Sequence, residues 1–158
     1  MSRISIAQIT SAIAATLRAH LEVDGVRVQD GARLPAPDTR DSLTEAMPDL
    51  PAVQVYWQAS RHDALTTDRL TLGGGVRPTR LTFYADVYAR RRGHIAEEMV
   101  SVLAQTDAVC AALEAQRHPP FFGLSGARAL AWSAERATFE VGGSAYAGAR
   151  FVIEVWVY

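Results

Sequence analysis

At 158 residues, with 49% hydrophobic and 21% charged residues, the chain is sized for one domain with a full core. A formal net charge of −1 argues against a protein built chiefly to neutralise phosphates, and a single cysteine, Cys110, excludes a disulfide framework or thiolate metal cluster. All 16 basic residues are arginine, and lysine and asparagine are both missing, which marks a GC-rich coding bias rather than an activity.

The Met1-Ser2-Arg3 opening leads into an amphipathic pattern rather than an apolar segment, so no secretion signal is expected. Ser5 followed by Gln8 forms a capping box, with Ile4 and Ile9 at the two positions of a hydrophobic staple. Ile6, Ile9, Ile13, Leu17 and Leu21 then recur at helical spacing until Asp24-Gly25. Val26 to Gln29 reads as a short strand, closed by Asp30-Gly31. The proline-rich stretch around Pro35, Pro37 and Pro48 has little periodicity and reads as a loop.

Residues 51 to 58 alternate, with Val53, Val55 and Trp57 on one side. A polar stretch containing Gly73-Gly74-Gly75 follows. Residues 80 to 88 alternate again, with Leu81, Phe83, Ala85 and Val87 inward and Thr82, Tyr84, Asp86 and Tyr88 outward. The two strands suggest an antiparallel pair joined by an extended hairpin. A second helix begins near Gly93, with a stripe of Ile95, Met99, Val102, Thr106, Val109 and Leu113, and with Arg117 and His118 at its end before Pro119-Pro120. Two long strands, 128 to 141 and 145 to 158, flank a Gly142-Gly143-Ser144 turn. The expected fold is α+β, in the order α-β-β-β-α-β-β, with two helices packed on one face of a mainly antiparallel sheet. One domain spans 1–158, with long loops at 30–50 and 59–79.

The final strand is unusual. Phe151, Ile153, Val155 and Val157 occupy one face, and the other holds Val152, Trp156 and Tyr158 with only Glu154 polar. A half-buried strand keeps its second face wet and polar, so a like subunit is the expected cover for this one.

Catalytic chemistry finds little purchase. The Gly73-Gly74-Gly75 run lacks the Lys-Ser/Thr and helix of a phosphate loop, and reads as a flexible tip. Gly123-Leu124-Ser125-Gly126 is half of a nucleophile elbow, placed before a strand instead of a helix. His94 with Glu97 and Glu98 is better explained as carboxylates complementing a helix start than as a metal site. Cys110 sits within a turn of the apolar stripe and reads as a small core residue. Arg90-Arg91-Arg92, near Tyr84 and Tyr88, has three readings: a solvated turn, a contact with a neighbouring subunit's acidic face, or nucleic-acid binding through phosphates and stacking. No enzyme, cofactor or metal is expected.

The segment Asp49-Leu50-Pro51-Ala52-Val53-Gln54-Val55-Tyr56 resembles the D-x-P-A-V-x-V-Y strand entry of lambda-type tail terminator proteins of long-tailed phages. The resemblance covers nearly the whole chain as an order of elements and residues 49 to 56 as a motif. It implies a structural virion protein, located at the head-proximal end of the tail and assembled in the host cytoplasm. Such proteins form a ring, generally of six subunits, that ends polymerisation of the tail tube protein and offers the docking surface for the head connector. DNA is then met only in passage through the lumen, and no membrane is involved. The loop at 59–79 is longer than the family suggests, which keeps open a related neck or head-completion protein of the same fold, or a small α+β module binding a ligand or nucleic acid. Expected interface residues are Tyr84, Arg90, Arg91, Arg92, Trp156 and Tyr158, with Gly73, Gly74 and Gly75 in a flexible docking loop.

Overall fold

The computed structural model describes residues 4–21, 27–30, 52–62, 79–91, 95–141 and 144–157. Helix α1 (Ile6–Leu21) starts at the anticipated capping box: the Ser5 N–H donates to Gln8 Oε1 at 2.8 Å, and the Gln8 N–H donates to Ser5 Oγ at 3.1 Å. Two donors that a helix start leaves orphaned are thereby satisfied. Ile9, Ile13, Leu17 and Leu21 are fully buried, as their spacing requires. Near its other end, Arg18 donates from Nη2 to the Val28 carbonyl at 2.9 Å, tying the helix to β1 (Arg27–Asp30).

Strands β2 (Ala52–His62) and β3 (Thr79–Arg91) form the antiparallel pair, and β1 runs parallel to β2. Helix α2 (Ile95–Glu114) then leads through a 3-10 turn (Phe121–Gly123) to β4 (Ala127–Val141) and β5 (Ser144–Val157). The sheet order is β1-β2-β3-β5-β4, so β5 slides between β3 and β4 and pairs antiparallel with both. This is the α+β architecture the sequence implied, with one parallel pair at its edge.

Both helices pack on one face. Val53 and Val55 of β2, Leu81, Phe83, Ala85 and Val87 of β3, and Phe151, Ile153, Val155 and Val157 of β5 join the buried faces of α1 and α2 in one core. The alternation of apolar residues along each strand sends every second side chain to that core. Cys110 packs against it, half-buried, and burial raises its thiol pKa above the ordinary value, with Glu114 and Asp107 adding to the effect. The thiol therefore stays protonated and behaves as a small apolar group.

Several boundaries differ from the sequence reading. Strand β2 continues through Ala59-Ser60-Arg61-His62, and β3 already includes Thr79, where alternation had suggested a loop at 59–79. A bulge between Trp57 and Ala59 breaks the register, and pairing to Thr79–Thr82 carries the strand on although its side chains are exposed. Likewise Asp30 belongs to β1 rather than to a loop starting there. Helix α2 ends at Glu114, leaving Arg117 and His118 beyond it. The Gln116 N–H bonds the Leu113 carbonyl, while Gln116 Oε1 accepts the Phe122 N–H at 2.8 Å and holds that residue at φ 54°. The chain must turn here to bury Phe121 and Phe122 against the core.

Candidate functional site

The face of the sheet opposite the helices carries the molecule's most organised polar cluster. Strand register sets Tyr56 opposite Tyr84, and Asp86 opposite Arg150. Arg150 donates from Nε to Asp86 Oδ1 and from Nη2 to Asp86 Oδ2, both at 2.8 Å, in a two-pronged ion pair. Tyr56 donates its hydroxyl to Asp86 Oδ2 at 2.8 Å and accepts from Arg150 Nη2 at 3.2 Å. The guanidinium carbon lies 4.6 Å from the Tyr84 ring centroid and 5.4 Å from that of Phe139, so the cation is also held between two aromatic faces. Tyr56 meets Tyr84 edge-on at 5.6 Å, and Tyr88 meets Phe139 at 4.4 Å.

These side chains build a second, smaller layer on the helix-free face. Asp86 is only 1% exposed, although it points away from the main core. Burial raises the phenol pKa of Tyr56 and of Tyr88, and the neighbouring Asp86 charge pushes both further up. The hydrogen bonds to Asp86 raise the Arg150 pKa as well. The phenols stay neutral and the guanidinium stays charged across ordinary pH. Chemically the cluster is a fixed strut, since its groups are engaged with one another.

Gly148 completes the layer. It pairs with Tyr88 on one side and Ala137 on the other, and Phe139 lies across it. A Cβ at this position would meet the Val87 carbonyl oxygen and stand 2.7 Å from Phe139 Cε2. The glycine is what allows the ring to close over the sheet.

Toward the other end of β5 the cover thins. Val152, Glu154 and Trp156 are half-exposed on this face, with Trp156 opposite Arg80 and an Arg80–Glu154 ion pair at 3.4 Å. The inner face of the same strand is fully buried. The strand is thus apolar on two sides at this end, while the Arg150 and Phe139 layer lies at its preceding part, around Gly148.

Of the anticipated interface residues, Tyr84 and Trp156 both lie on this helix-free face. Arg90 and Arg91 end β3, and their side chains, with Arg92, Tyr158 and Gly73-Gly74-Gly75, lie outside the described residues. The arginine that engages Tyr84 is Arg150, which sequence reasoning did not single out. A signal existed: Asp86 sits between Tyr84 and Tyr88 on a strand whose other face is wholly apolar, and a buried carboxylate calls for a cation. Trp57 lies opposite Phe83, on the same side as Val53 and Val55, yet is 46% exposed, and its Nε1 donates to Ser60 Oγ at 3.1 Å. Trp132 packs on Phe151 at the rim of the main core.

Among the described residues no three His, Cys, Asp or Glu side chains are grouped to hold a metal ion, and no helix is long and apolar enough to cross a membrane. No known protein-family model matches the chain, and no curated protein matches it.

Proposed function

We propose that this chain is a ring-forming subunit that caps the tail tube of a long-tailed phage, ending tube growth and presenting the surface on which the head connector docks. The observation that carries this reading is the helix-free face of β5, where Val152 and Trp156 stay half-exposed beside a rigid aromatic and arginine layer. Apolar surface of this kind, next to side chains locked by their own contacts, suits association between subunits. The order of elements, α-β-β-β-α-β-β, is also the one implied by the resemblance at residues 49 to 56. A ring requires two different complementary patches on each subunit. The face around Trp156 supplies one, and the exposed Trp57 region supplies a second. The ring is expected to hold six copies and to belong to the virion, with DNA passing through its lumen.

The test is growth of tubes from the tail tube protein encoded with this chain. Adding the subunit during polymerisation should shorten the tubes and leave a ring at one end in electron micrographs. Tubes of unchanged length with bare ends would refute the proposal.

A further inference from the structure

We draw no further inference here: the strongest candidate, the open apolar groove between α2 and strands β4 and β5 where Val102, Ala134 and Ala149 lie beside the exposed Leu103, carries nothing because nothing in the structure shows what covers it.

Discussion

Replacing Arg150 by Met is expected to destabilise the fold by about 2–3 kcal/mol, because the Asp86 carboxylate is then buried without its cation. Asp86 is 1% exposed and takes both arms of the Arg150 guanidinium, so no other group shown to contact it supplies a charge. The value lies below the range for fully buried pairs, about 3–5 kcal/mol, since the Arg150 side chain is 32% exposed and water reaches it. In thermal unfolding the loss corresponds to a fall in Tm of roughly 5–10 °C for a chain of this size. Asp86→Asn added to Arg150→Met removes the stranded charge and should recover part of that stability. A double variant less stable than Arg150→Met alone would show that the charge is not the cause. The non-additivity, read as a double-mutant cycle, isolates the pair from the lost packing on Tyr84 and Phe139.

Gly148→Ala is expected to cost at least about 3 kcal/mol, at or above the usual range for overpacking. The added methyl meets the Val87 carbonyl, which is backbone in the neighbouring strand and has no rotamer by which to move aside. Relief requires β3 and β5 to part, and Phe139 to shift off the glycine at the expense of its contact with Tyr88. Equilibrium denaturation in urea measures the effect. The companion variant Phe139→Leu separates the two contacts: if the ring is the obstacle, Gly148→Ala should be milder in the Phe139→Leu background. An unchanged penalty identifies the backbone clash as the cause. Wild-type stability in Gly148→Ala would mean that the close approach of β3 and β5 at this point is wrong.

Local signals wrote much of the architecture into the sequence. Ser5 and Gln8 announce the first helix because the capping box is a contact between residues three apart. Alternation located β3 and β5 because each buries one face in the core. What stayed hidden depends on long-range pairing. Asp86 and Arg150 lie 64 residues apart, and nothing local says that β5 inserts beside β3 instead of extending a simple hairpin. Once β5 takes that place, Arg150 falls opposite Asp86 and the second layer follows from register alone. The bulge after Trp57 was equally unreadable, because residues 59 to 62 are held as strand by their partners and not by their own apolar pattern. The apolar second face of β5 was legible, whereas the Arg150 and Phe139 layer that precedes it along the strand was not. Val152 and Trp156 lie beyond that layer and stay half-exposed.

Oxidative footprinting of Trp156 tests most directly whether a second protein shields that end of the strand. The indole should be modified readily in the free subunit and become protected when the subunit is mixed with polymerising tube protein, while Trp57 and Trp132 report on the other surfaces in the same sample. Equal modification of Trp156 in the free and tube-bound subunit would contradict a role for this face in assembly.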